Sequence, residues 1–390
     1  MTTTPVKVPA GWEPYSEHTE TIGKAIVYLP TPDNTHRDLL IQAGFSPDDW
    51  QISGPVNTRK WMAQVKDDDP IWLYYYKFDV VAGESPEVVQ EHVDDLVKLI
   101  RRRKHQKSAV PFTKTDAWAF YASDWQIGKK EGNDGTPETI QRVLNGIDQA
   151  GEEIKALRKR GRKMPELLFA GLGDILEGTC GFYPGQQFLI DRTRREQGKI
   201  ARELITSALD YLSPMFDHTT VAAVGGNHGE NRSPDGQRIT SDGDNDDCAV
   251  FEAVQEAFTR AGDNNISWNI MQDELSMAVE VGGVLVGLTH GHIFAKGTTP
   301  QMKALNWWMG QDFGFQAVRG TQILVSAHFH HYLCTEHGSR THFQTPAADP
   351  GSKWVRDISG QNTPPGFLTM RLDGTTVRGW DDVKILTPMH

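Results

Sequence analysis

Five short apolar runs in this chain end on residues that can hold a divalent cation. AWAFYASDWQ (117–126) ends on Asp124 and Gln126, and ELLFAGLGD (166–174) ends on Asp174. VAAVGGNH (221–228) ends on Asn227 and His228, VLVGLTHGH (284–292) on His290 and His292, and TQILVSAHFHH (321–331) on His328, His330 and His331. Carboxylate, amide oxygen and neutral imidazole are the usual donors to divalent metals. Taken singly, each residue has a plain structural reading. A His after a strand more often serves packing, and Asp174 after Gly173 suits a turn or a helix N-cap. His328 and His330 say more as a pair, because alternate residues of an extended chain share a face. On the structural reading all five endings are separate coincidences. A single metal-binding edge accounts for them together.

The elements behind these residues can be read from the same runs. Stretches of four to seven residues rich in Val, Leu, Ile and Phe, bounded by glycine, read as buried strands. In layered proteins, sites are built on the loops beyond strand ends. CAVFEAVQEAF (248–258) and the basic, amphipathic stretch ending at 209 carry helical spacing, which makes the larger part of the chain α/β. Upstream, THRDLLIQAGFSPDDW (35–50) reads as a helix-turn pattern with a Ser-Pro-Asp-Asp N-cap signal, and WLYYYKFDVV (72–81) as an aromatic strand. PEVVQEHVDDLVKLIRRRKHQK (86–107) has apolar residues at helical spacing and closes on a basic run. These segments set a small α+β N-terminal domain, 1–110, before a larger domain, 111–390.

The order of the motifs resembles that of the calcineurin-like metallophosphoesterases: Asp-x-His, Gly-Asp, Gly-Asn-His, a His, then Gly-His-x-His. Here it stands as Asp124-Trp-Gln126, Gly173-Asp174, Gly226-Asn227-His228, His290-Gly-His292 and Ala327-His328-Phe-His330, over about residues 115–375. The resemblance implies a four-layer α-β-β-α double-sheet sandwich around two divalent metal ions, with Mn²⁺ preferred and Mg²⁺, Zn²⁺ or Fe²⁺ as alternatives. It implies that Asp174 bridges the ions, that Asp124, Gln126 and His330 complete one site, and that Asn227, His290 and His328 complete the other. His228 is implied to face the scissile phosphate as the catalytic residue. Two departures stand out. Gln126 replaces a His, and an amide oxygen is a poorer ligand for softer metals. Ala327 replaces a Gly, which asks only for ordinary backbone angles there. His292 is an additional imidazole, placed with substrate rather than metal.

Composition bounds the partners. The chain has 390 residues with 38% hydrophobic content, enough for a sizeable core and more than one domain. Mean hydropathy is −0.49, no apolar run approaches 18 residues, and MTTTPVKVPAGW lacks the apolar centre of a signal peptide. Cys180, Cys248 and Cys334 are widely separated, which suits a reducing cytoplasm. A formal charge of −11 means that any polyanion must be gripped locally or through metal. DGDNDD (242–247) imitates an EF-hand opening but has Asp247 where the loop needs Gly and Ala253 where it needs Glu, so it reads as an acidic loop leading into a helix.

Substrate class is read from weaker signals. Arg192, Arg194 and Arg195 lie on a basic helix that follows Asp174, and FAKGTTPQMKALNWWMGQDF (294–313) interleaves Lys296 and Lys303 with Trp307 and Trp308. Such residues could hold a nucleic acid by phosphate contact and stacking, with Arg192 and Arg194 the chosen substrate contacts. They equally suit a solvated helix face and a tryptophan core. The expectation is DNA cleaved by an enzyme resembling the double-strand-break repair nuclease branch. The N-terminal part is similar to modules in some phage-encoded proteins, which would place the protein in a host cytoplasm. A homodimer and a partner ATPase are left open. The rivals are a small-molecule or nucleotide phosphodiesterase or phosphatase, and a non-catalytic scaffold.

Overall fold

The computed structural model describes residues 14–19, 22–30, 35–63, 71–82, 95, 97–98, 116–183, 185–233, 235–263, 265–294, 299–349, 351 and 363–388. Two compact units divide the chain, Met1–Asp95 and Leu96–His390, where the sequence suggested a boundary at 110. The basic run 101–107 lies outside the described residues, as does nearly all of the helix expected over 86–107.

In the first unit, strands β1 (Tyr15–His18) and β2 (Ile22–Leu29) precede helix α1 (His36–Gln42), followed by β3 (Trp50–Ala63) and β4 (Ile71–Ala82). The strands form one antiparallel sheet in the order β1-β2-β4-β3. Alternate residues Ala25, Val27 and Leu29 of β2 and Tyr76, Phe78 and Val80 of β4 share one face, covered by Leu39, Leu40 and Phe45. The period-two spacing of the strands thus meets the helical spacing of α1. The cap of α1 is Thr35, whose hydroxyl accepts from Asp38 N while Asp38 accepts from Thr35 N. Ser-Pro-Asp-Asp starts no helix. Trp50 N donates to Ser46 O at 2.9 Å, closing a turn that delivers the chain into β3, because the residues after it pair with β4.

The second unit runs β5 (Asp116–Ala122), α2 (Thr136–Lys159), β6 (Glu166–Gly171), α3 (Arg194–Leu212), β7 (His218–Ala223), α4 (Asp246–Arg260) and β8 (Ile266–Ile270). Then come β9 (Ser276–Val281), β10 (Val284–Thr289), α5 (Pro300–Phe313), β11 (Ile323–Ser326), β12 (Leu333–His337), β13 (Arg340–Gln344), β14 (Phe367–Asp373) and β15 (Trp380–Leu386). A six-stranded sheet has the order β15-β14-β5-β6-β7-β8, and a five-stranded sheet the order β12-β13-β11-β10-β9. Strands β5 to β8 are parallel, joined by the three helical crossovers, and β10, β11 and β13 are parallel in the second sheet.

The two sheets meet face to face. Ala117, Ala119 and Tyr121 of β5, Leu168 and Ala170 of β6 and Met370 of β14 pack with Val284, Val286 and Leu288 of β10 and Ile323 and Val325 of β11. On the opposite face of β5, Phe120 stacks on Phe169 at 5.6 Å and on Phe367 at 5.5 Å. Helix α2 lies close against that face: a methyl added at Gly146 would meet Phe367 Cε2 at 2.3 Å. Trp308 of α5 packs with Leu324 of β11 on the outside of the second sheet. The result is the four-layer α-β-β-α sandwich expected from the motif order, in an α/β unit that follows a small α+β one.

Register fixes where the site must form. Ala122 pairs with Gly171 and Gly171 with Ala223, so β5, β6 and β7 stop level with one another. Leu288 of β10 pairs with Val325 of β11. Loops that leave the carboxyl ends of parallel strands share one edge, which is where open α/β sheets bind ligands.

Candidate metal centre

Backbone contacts draw the loops together before any side chain is considered. Asp124 N donates to Gly173 O at 3.1 Å and Gln126 N to Asp174 O at 3.0 Å. The glycine pair after β7 is required by proximity: a Cβ on Gly226 would sit 2.1 Å from Asp174 Oδ1. Asp124, Gln126, Asp174, His328 and His330 all have φ between 43° and 71°, left-handed backbone that L residues seldom adopt. Five of the eight described non-glycine residues with positive φ are therefore at this edge, the clustering that functional sites show. Ala327 is not among them, in line with its replacing a glycine.

One group of ligand atoms converges. Among the described residues, Asp174, His290 and His328 are the set whose ligand atoms lie within 4.8 Å of one another. His290 is buried, and its Nδ1 donates to Leu172 O at 2.7 Å, which leaves Nε2 facing Asp174 Oδ2 at 3.0 Å and Asn227 Oδ1 at 3.1 Å. A carbonyl can only accept, so a neutral ring would aim a lone pair at two more acceptors. Such a cluster is satisfied by a proton on Nε2 or by a cation between the three atoms. Burial pushes His328 down to about 4, helped by the His290 charge, so its ring is neutral and able to ligate. Burial opposes a charge on His290, and Asp174 overcomes it, raising the imidazole to about 9. A proton there does what a metal would do. Asp174 itself is held far below the usual carboxylate range, its burial outweighed by His290 and His228. These residues fit a divalent ion.

The other expected ligands, Asp124, Gln126 and His330, have different partners. Asp124 Oδ1 is buried without a hydrogen bond, 3.2 Å from His330 Nε2, and Asp124 Oδ2 accepts from His328 N at 3.2 Å. Gln126 Oε1, the one atom of that side chain able to bind metal, accepts instead from Lys129 Nζ at 2.6 Å. Lys129 also pairs closely with Asp349, whose Oδ1 lies 3.3 Å from His330 Nδ1. Burial opposes the Lys129 charge, and Asp349, Glu177 and Asp124 overcome it, leaving the ammonium above its ordinary pKa.

His228 stands beside both groups without contributing to the converging set. Its N–H donates to Asp174 Oδ1 at 2.8 Å, and its Nδ1 donates to Glu177 O at 2.8 Å, with Glu177 Oε2 3.3 Å away. Its ring stacks on Phe182 with centroids 4.6 Å apart. Burial disfavours its charge, but Asp174 and Glu177 raise it to about 9, so it is protonated near neutrality. Its Nε2 faces Gln126 Nε2 at 3.4 Å.

The expected substrate contacts fare differently. His292 lies at the rim, its Nε2 3.6 Å from Glu230 Oε1, and burial with the His290 charge pushes it down to about 3. Of the two arginines expected to contact substrate, Arg194 is exposed on the first turn of α3. Arg192 is largely buried and donates to Asp191 O, while Arg194 pairs with Asp246 and donates to Asn231 Oδ1 at 2.6 Å. Arg194 thus links Asn231 to the start of α4, and Arg192 bonds its neighbour in sequence. Trp308 is core, its indole N–H bonded to Thr321, and Trp307 packs on Phe294.

Four residues of the edge carried no chemical signal in the sequence: Lys129, Glu177, Asp247 and Asp349. Asp247 accepts backbone N–H groups from Asp174, Ile175, Leu176 and Gly226 at 2.8–3.2 Å. Burial and the Asp174 charge push its carboxyl up to about 7 against those donors. Its place in the first turn of α4 had been legible only as a helix start.

Neither a protein-family model nor a curated protein sequence matches this chain. Solved structures similar to it include a predicted phosphoesterase of Streptococcus pneumoniae TIGR4, at 11% identity and TM-score 0.30, covering 71% of this chain and 93% of that one. Another is Vps29 of Entamoeba histolytica complexed with Zn²⁺, at 14% identity and TM-score 0.29, covering 65% and 84%. A third is Vps29 of Cryptosporidium parvum, at 13% identity and TM-score 0.33, covering 70% and 99%. Likenesses of this strength carry no argument about chemistry, which rests on the side chains.

Proposed function

We propose that the second unit is a metal-dependent phosphoester hydrolase. The observation that carries this reading is the convergence of His290 Nε2, Asp174 Oδ2 and Asn227 Oδ1 next to His228, whose ring is held by Glu177 and is not needed as a ligand. When bound, a divalent ion would polarise a phosphoryl oxygen and make water a competent nucleophile at neutral pH. Mn²⁺ suits a set that mixes carboxylate, amide oxygen and imidazole. The protein's own groups supply the rest. Glu177 and the stacked Phe182 fix the His228 ring, so that its Nε2 proton can pass to the departing ester oxygen. The Gln126 side-chain Nε2 and His228 Nε2 face each other at 3.4 Å, two donors that are both satisfied when an anionic phosphoryl oxygen accepts from them.

DNA as the substrate is the finer proposal: the exposed Arg194 on the first turn of α3 supports it, while the largely buried Arg192 and the core Trp308 do not. Turnover of a chromogenic phosphodiester, a chromogenic phosphomonoester and labelled single- and double-stranded DNA in Mn²⁺ separates the readings. Mn²⁺-dependent hydrolysis of any of them that disappears in Asp174→Asn supports the hydrolase. Diester cleavage without DNA cleavage removes the nuclease. A protein that binds Mn²⁺ and turns over none of the four is the scaffold.

A further inference from the structure

We propose that Lys129 is a built-in cation that takes the place of one of two metal ions, so that the centre holds a single ion on Asp174, Asn227, His290 and His328. The proposal deepens the hydrolase reading and rests on it. Gln126 has one ligand-capable atom, and Lys129 Nζ holds it at 2.6 Å. The same ammonium is paired with Asp349, which is buried and reaches His330 Nδ1 at 3.3 Å with its other oxygen. The link from Lys129 to Asp349 spans 220 residues, so it is imposed by the fold rather than by local sequence.

An ion seated by Asp124, Gln126 and His330 would have to displace the ammonium from Gln126 Oε1 and lie near a buried positive charge. In a partly desolvated site that repulsion is not screened. The substitution is coherent across positions. A His at 126 would present a lone pair that competes for the metal. The amide instead accepts from Lys129 with its oxygen and turns its N–H toward His228. Lys129 is a positioning residue: it orients Gln126 and supplies fixed positive charge beside Asp124 without exchanging with solvent.

The test counts metal in the full-length protein. After equilibrium dialysis against Mn²⁺, elemental analysis should give one tightly held ion per chain, and electron paramagnetic resonance should give the hyperfine pattern of an isolated Mn²⁺. The double variant Lys129→Ala with Gln126→His, shown to be folded by circular dichroism, should gain a second ion and the broadened signal of a coupled pair. Two ions of comparable affinity with coupled spectra in the wild type overturn the proposal and leave the hydrolase reading standing. A folded double variant that still takes a single ion also overturns it. A wild-type protein that takes no Mn²⁺ removes both readings. If the double variant does not fold, the wild-type count decides alone.

Discussion

The Asp247 carboxylate accepts the backbone N–H of Asp174 at 2.8 Å although 73 residues separate them. The same oxygen accepts from Gly226 N, and its partner oxygen accepts from Ile175 and Leu176. One side chain at the start of α4 thus ties the loop after β6 to the loop after β7, and these are the loops that carry Asp174 and Asn227.

Asp247→Asn should accordingly damage stability and metal binding together. The amide keeps one acceptor oxygen and turns an NH₂ toward backbone donors, leaving buried N–H groups unmatched. The cost should be about 2–4 kcal/mol, read by chemical denaturation, with weaker Mn²⁺ binding in titration calorimetry. An unchanged denaturation midpoint would show that the four contacts do not hold the loops.

Gly226→Ala tests the approach of the two loops from the other side. Its new methyl would lie 2.1 Å from Asp174 Oδ1 and 2.3 Å from Asp174 N, so the carboxylate or the loop must move. Overpacking of this kind costs about 1–3 kcal/mol. The sharper expectation is a loss of Mn²⁺ affinity in a protein that still folds. Retention of wild-type metal affinity would place Asp174 outside the ligand set.

His228 and Asp174 should separate cleanly by mutation. His228→Ala removes a ring but keeps the N–H that serves Asp174 Oδ1, so fold and metal content should persist while turnover falls by about 10²–10⁴-fold. Asp174→Asn should lose the metal itself. Elemental analysis beside kinetics of a chromogenic diester distinguishes the two. The opposite pattern, with metal lost in His228→Ala and kept in Asp174→Asn, would reverse the assignment.

The division between what could be read from the sequence and what could not follows from the range of the interactions. Strands β5, β6, β7, β10 and β11 were legible because apolar periodicity and flanking glycines are local signals, and the residues at their ends came with them. Lys129, Asp349 and Asp247 were not, since each acts on a partner 70 or more residues away. Gln126 shows the limit most clearly. Its position by a strand end was readable, but the direction of its amide is set by Lys129 three residues on, which is itself held by the distant Asp349. The aromatic signal shows a related limit: Trp308 looks alike in sequence whether it faces solvent or, as here, Leu324. Ser-Pro-Asp-Asp suits a turn as well as a cap, and strand pairing after it decided the outcome.

Acid should destabilise the second unit through His342 on β13. Its Nε2 lies 2.9 Å from Ser326 Oγ, its Nδ1 is buried without a hydrogen-bond partner, and the ring is packed edge-on to Phe294. Burial pushes the imidazole down to about 4, with a smaller push from His337. Its ordinary value in the unfolded chain is about 6.5, so between those limits the unfolded state binds more protons than the folded one. Stability is therefore complete above about pH 6.5 and falls as pH drops toward 4, by up to about 3 kcal/mol for this group. His342→Gln, which cannot take up a proton, should flatten that decline in urea denaturation measured from pH 7 to pH 4. A mutant whose stability falls with acid as steeply as the wild type would assign the acid sensitivity to other groups.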